Sequence, residues 1–205
     1  MTAPALGPAV APGPVKLPRG DAKLWATPLD VAELARHVAH CQSPAPSTTE
    51  HGARLERLAA WLFPHLPGLE VHDTNVFSAD RAHEVDVPMF NDVSVPGALA
   101  ALDSPVFVEC KNYEHPVGGQ EVAWFHHKLV QGGSTAGVLL TVHGVSGELR
   151  DRRFAQGVIA EALRGDRPRR ILVVTLAEVA ALTSTADLRA LLVRRMLEVS
   201  SGKPF

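Results

Sequence analysis

The apolar positions fall into two rhythms along the chain, and the change from one to the other marks the elements. In "TPLDVAELARHVAH", residues 27–40, Val31, Leu34, Ala35 and Val38 recur at helical spacing. Thr27 as N-cap, Pro28 at the first helical position and Asp30 in the first turn predict where that helix starts. "CQSPAPSTT" reads as a linker. "EHGARLERLAAWLFPHL" returns to the helical period at Leu55, Leu58, Ala59, Leu62 and Leu66, with a stop signal at Pro64. "LEVHDTNVFS" and "HEVDVPMF" then alternate as short strands do, and a turn-rich segment spans 91–105. Val106, Phe107 and Val108 open a buried strand that runs on to Lys111. A helix carrying Val122, Phe125 and Leu129 follows. Beyond it come the strand "GVLLTVH", the amphipathic helix "LRDRRFAQGVIAEALR", the strand "RILVVTL", and helical patterns at "AEVAALT" and "ADLRALLVRRMLEV".

Three strands, then alternating helix and strand, predict an α/β fold with a central mixed β-sheet flanked by helices. The Pro/Ala-rich residues 1–26 predict a disordered tail, 27–48 an N-terminal helix and linker, and 49–205 the main domain with its C-terminal helices. Composition changes this little. Hydrophobic residues make up 46% and charged residues 20% of 205, with a net charge of -2, so any basic surface must be local. Two cysteines do not make a disulfide framework, no zinc-ligand spacing occurs, and no apolar run has the length of a membrane span or the layout of a secretory signal. These features predict a cytoplasmic protein with no membrane association.

The chemistry gathers where the central strand ends in Glu109-Cys110-Lys111. Residues i and i+2 of a strand share a face, so Glu109 and Lys111 project together and Cys110 turns towards the apolar packing. In "HEVDVPMF" the same rule sets Val85 and Val87 against Glu84, Asp86 and Pro88. Two adjacent strands would present Asp86, Glu109 and Lys111 to one cleft. Two carboxylates and a backbone carbonyl form a hard-oxygen site suited to Mg²⁺, and a lysine beside it would stabilise charge on a phosphate. A buried strand ending in charges is tolerable if those charges bind such partners.

Asp86 followed by Glu109-Cys110-Lys111 resembles the PD-(D/E)xK nuclease superfamily, in particular its restriction-endonuclease-like, Mrr-type branch. "GARLE" supplies Gly52 and Glu56 on the preceding helix, where that branch carries a Gly and a Glu. The resemblance covers roughly 49–176 and implies a restriction-endonuclease-like three-layer sandwich. It also implies metal binding by Asp86, Glu109 and the Cys110 carbonyl, Lys111 as the catalytic lysine, and Glu56 as support for the metal site. Glu84 is the substitute for Asp86 if the register slips by two. The implied activity is Mg²⁺-dependent endonucleolytic hydrolysis of DNA, with Mn²⁺ able to substitute, in prokaryotic defence against foreign DNA or in DNA repair. A homodimer or a partner protein would supply target choice.

For contacts to the nucleic acid, Asn112 and Gln120 lie near the cleft, and Lys128, Arg150, Arg152 and Arg153 are the basic residues placed to meet phosphates. His126 and His127 point in different directions on a helix and do not form a metal pair. His115 and His143 are strand-end or loop residues near the site. Cys110 reads as a small core residue, not a nucleophile. Two rival readings stand beside the nuclease. One is a catalytically silent nuclease-fold module that binds nucleic acid or a partner protein. The other is a small-molecule α/β enzyme using Cys110 or a histidine, although no Gly-rich phosphate loop or nucleophile elbow is present.

Overall fold

The structure is a computed structural model that describes residues 27–77, 84–147, 154–165 and 167–202. Helix α1 (Val31–Gln42) is capped by the side chain of Asp30, which accepts the Glu33 N–H. The expected cap, Thr27, lies further out: its N–H donates to the Thr185 hydroxyl at 2.9 Å, and Pro28 bridges to Ser184. Asp wins the position because its carboxylate both accepts a free helix N–H and suits the positive end of the helix dipole. Helix α2 (Thr48–Leu62) is capped by Ser47, and Leu55, Leu58, Ala59 and Leu62 are fully buried.

The two expected strands after α2 each break in two. β1 (Leu69–Val71) pairs antiparallel with β4 (Val87–Asn91), while β2 (Val76–Phe77) pairs with β3 (Glu84–Val85) as a separate ribbon. A bend at Asp86 divides β3 from β4. β4 runs antiparallel to β5 (Val106–Lys111). β5 then runs parallel to β6 (Ala136–Thr141), and β6 to β7 (Arg170–Thr175). The result is a mixed five-stranded sheet in the order β1-β4-β5-β6-β7.

α3 (Gly119–Gln131) carries the chain from β5 to β6, and α4 (Ala155–Ala162) from β6 to β7. Same-handed crossovers in one direction put both on one face, where they pack together. α5 (Leu176–Ala180) and α6 (Thr185–Ser201) close the chain.

Strand parity assigns the faces. Phe107, Glu109 and Lys111 share a side with Gly137, Leu139 and Thr141 through the parallel register, and this is the α3 side. Val108, Cys110 and Asn112 face α2, whose His51 carbonyl accepts the Asn112 amide at 2.7 Å. α1 is part of the same packing, with Leu34, Val38 and Cys41 buried in the common core. The buried Arg54 of α2 ties the α1–α2 linker down by donating to the carbonyls of His40, Ser43 and Pro44.

Between β6 and α3 the backbone approaches too closely for any side chain at Gly137. A Cβ there would stand 2.5 Å from Phe125 Cζ, 2.7 Å from Leu129 Cδ2 and 3.1 Å from the Phe107 carbonyl oxygen. Gly137→Ala should therefore cost about 1–3 kcal/mol of stability by overpacking. Urea unfolding should show a lower midpoint with an unchanged slope.

Candidate metal and phosphate site

β4 joins the sheet only at Val87, opposite Val108, three residues short of the end of β5 at Lys111. The ladder stops at Val87 opposite Val108, so the backbone N–H of Cys110 has no strand to meet on that edge. The Asp86 side chain fills the gap: its Oδ2 accepts the Cys110 N–H at 2.7 Å. The bend at Asp86 thus turns a carboxylate onto the end of β5. Glu84 stays in the ribbon, paired opposite Phe77, and Asp86 is the acid that reaches β5.

Glu109 lies at the centre, 1% exposed. Lys111 Nζ stands 2.8 Å from its Oε1, and Lys128 Nζ 2.7 Å from its Oε2. Lys128, by sequence a candidate contact to the nucleic-acid backbone, is 5% exposed, inside the α3–sheet interface. Helical side chains lean towards the helix N-terminus, and the start of α3 lies beyond the carboxyl end of β5, so the long stem of Lys128 climbs to Glu109.

These charges act on one another. Burial, then the charge of Glu109, pushes the Asp86 carboxyl up to about 7, against the Cys110 N–H and the two lysines, which pull it down. Burial is the largest single influence on Lys111 and lowers its pKa, but the close Glu109 carboxylate together with the charges of Asp86 and Tyr113 outweighs it and leaves Lys111 above the ordinary lysine value. Burial and the charges of Asp86, Glu56 and Glu109 hold the Cys110 thiol well above its usual value. A thiol so placed stays protonated and is no nucleophile, in keeping with its buried, inward position.

The remaining candidates divide. Glu56 Oε2 accepts the Asn75 amide at 3.0 Å, and the Asn75 N–H donates to the Asp86 carbonyl at 2.8 Å. Glu56 therefore connects to the backbone of Asp86 through Asn75, a residue in the left-handed region at φ 57°. Asn112 serves the fold, its amide shared between the Cys41 and His51 carbonyls. Gln120 is exposed in the first turn of α3. His127 stacks on Trp124 with ring centroids 5.3 Å apart. His51, Asn112, Tyr113 and His143 line a cavity of about 630 Å³ beyond the ends of β5 and β6. Arg150, Arg152 and Arg153 lie outside the described residues.

The donors gathered here are hard oxygens, the kind that Mg²⁺ takes. Glu109 Oε1 is buried, and its close contact with Lys111 falls outside hydrogen-bond angles, so this oxygen has no aligned donor. In a strand, a residue's N–H and C=O leave by the same edge, so the Cys110 carbonyl faces the side that Asp86 occupies. Among the described residues no group of three or more His, Cys, Asp and Glu side chains gathers as a metal cage. Two carboxylates, a carbonyl and waters are what Mg²⁺ takes, whereas Zn²⁺ asks for a fuller set of side-chain ligands.

No family model, curated protein or solved structure matches this chain.

Missed in the sequence were Asn75 and the role of Lys128. Lys128 did carry a signal: it stands three residues after Phe125 and one before Leu129, on the buried stripe of α3, where a lysine needs a buried acid.

The folded protein keeps the Asp86 proton up to about pH 7, while the reference value is 3.8. Stability from this group is therefore fully present below the reference value and is lost as pH rises through 7. Asp86→Asn, which still accepts the Cys110 N–H, should raise stability at pH 8 by roughly 1–3 kcal/mol and flatten its decline between pH 4 and 8. Urea titrations of both proteins across that range provide the comparison.

Proposed function

We propose that the chain is a metal-dependent endonuclease of restriction-endonuclease-like fold that hydrolyses DNA phosphodiester bonds. The observation that supports this best is the meeting of Asp86, Glu109 and the Cys110 backbone at the end of β5, with Lys111 beside them. The element order agrees with that fold: helix α2, the antiparallel set β1, β4 and β5, then α3 and β6. Prokaryotic defence or DNA repair is the setting the motif resemblance suggests. Target choice would come from a second copy or a partner protein. No described helix is long and apolar enough to cross a membrane.

In this reading Asp86, Glu109 Oε1 and the Cys110 carbonyl would hold Mg²⁺, which would supply Lewis acidity to the phosphate and lower the pKa of a water. Lys111 places its ammonium against the scissile phosphate and offsets the charge that develops in the transition state. Its high pKa keeps it cationic, which suits electrostatic stabilisation and not proton abstraction. Glu56 holds the Asp86 backbone through Asn75.

One observation favours the silent module: Glu109 already has an ammonium at each oxygen. Cleavage decides between the two. Supercoiled and linear DNA should be cut with Mg²⁺ or Mn²⁺, not with EDTA, and Lys111→Ala should lower the rate by about 10²–10³-fold. Failure to cut in either metal, together with no calorimetric Mn²⁺ binding, would leave the binding module.

A further inference from the structure

Lys128 is a buried lysine that the hydrolytic scheme does not use. Its Nζ is 2.7 Å from Glu109 Oε2, opposite the oxygen that has no aligned donor. It is also among the groups whose charges bear on Asp86, together with Glu109 and Lys111. With Asp86 ionised, these four groups hold two negative and two positive charges, and the cluster is neutral. Such a cluster is a weaker host for a divalent cation than two carboxylates alone, because the two ammoniums, 2.8 and 2.7 Å from the Glu109 oxygens, offset part of the attraction of the acids. Adding the ion leaves the cluster with a charge of two positive units. A phosphodiester brings one negative charge, and a hydroxide nucleophile brings the second.

We propose that Lys128 is a positioning residue that makes divalent-cation binding at Asp86 and Glu109 conditional on a bound phosphodiester. This rests on the nuclease reading above and goes beyond it. The ammonium fixes Glu109 through Oε2, so that Oε1 faces the cation, and its charge weakens the ion's hold until a phosphate group shares the site. By linkage, the metal tightens phosphodiester binding by the same factor. Lys111 cannot have this role alone: without Lys128 the cluster would carry one net negative charge and take the metal before substrate arrives.

The test is Mn²⁺ calorimetry on the full chain, with thermal melts to establish that each variant is folded. Lys128→Gln removes the charge and keeps an N–H donor, Lys128→Met removes both, and Lys128→Arg keeps the charge. Lys128→Gln and Lys128→Met should bind Mn²⁺ alone at least about tenfold more tightly than wild type, and Lys128→Arg should resemble wild type. A hydrolysis-resistant phosphorothioate DNA oligonucleotide should tighten Mn²⁺ binding more in wild type than in Lys128→Gln. Unchanged or weaker Mn²⁺ binding by folded Lys128→Gln overturns the role given to Lys128 while leaving the metal site standing. No Mn²⁺ binding by any of the proteins, with or without the oligonucleotide, overturns both this role and the metal site beneath it.

Discussion

A carboxylate buried to 1% exposure on a central strand constrains everything around it. Moving such a group out of water costs several kcal/mol, and only close cations and hydrogen bonds offset this. Glu109 meets the requirement from two directions. Lys111 comes from two residues along the same strand, on the face that strand parity dictates. Lys128 comes from the next helix, and it reaches Glu109 only because α3 docks with Phe125 and Leu129 against the sheet. The apolar packing of α3 and the ion cluster are therefore one arrangement. Glycine at position 137 lets the helix lie that close.

Such a cluster is hard to justify by stability. Replacing a buried ion set with well-packed apolar residues is often neutral or stabilising, while removing one partner alone costs about 3–5 kcal/mol. Asp86 makes the case stronger, because burial and the neighbouring Glu109 charge disfavour its ionised form. A fold that needed only cohesion here would carry aliphatic side chains, as β6 does at Val138, Leu139 and Leu140. Charges that oppose one another inside a sheet would instead suit a site for a cation and an anion, and Glu109 and Lys111 lie at the carboxyl end of β5, which runs parallel to β6, where open α/β sheets place ligands.

How far this could be read from the sequence followed the range of each interaction. The two periods located the helices and the buried strands, since each depends on residues only a few positions apart. The pairing of Glu109 with Lys111, and the inward turn of Cys110, came from strand parity alone. What crosses between elements was hidden. Nothing local says that Asp86 caps an orphaned N–H at Cys110, or that Asn75 bridges Glu56 to the Asp86 backbone. The split of "HEVDVPMF" was hidden too, because alternation continues through a bend: Val85, Val87 and Met89 stay buried although the first belongs to a ribbon and the others to the sheet. Thr27 and Asp30 both suit an N-cap by type. The choice fell to Asp30 once Thr27 was held by Thr185, far along the chain.

The two lysines on Glu109 are not equivalent, and their exposure separates them. The Lys111 side chain is 21% exposed and that of Lys128 6%. An external phosphate can approach Lys111 directly, while Lys128 is covered by α3 and the sheet and meets no ligand of that size without the helix moving. One ammonium is thus available for chemistry and the other fixes the acid between them. The geometry bears this out at the carboxylate itself: the buried lysine makes the aligned hydrogen bond, at Oε2, and the accessible one makes the off-line contact, at Oε1. The weaker of the two contacts is the one that a cation or a phosphate would have to disturb. The stronger can persist throughout, so the site can open to a ligand without leaving Glu109 unpartnered.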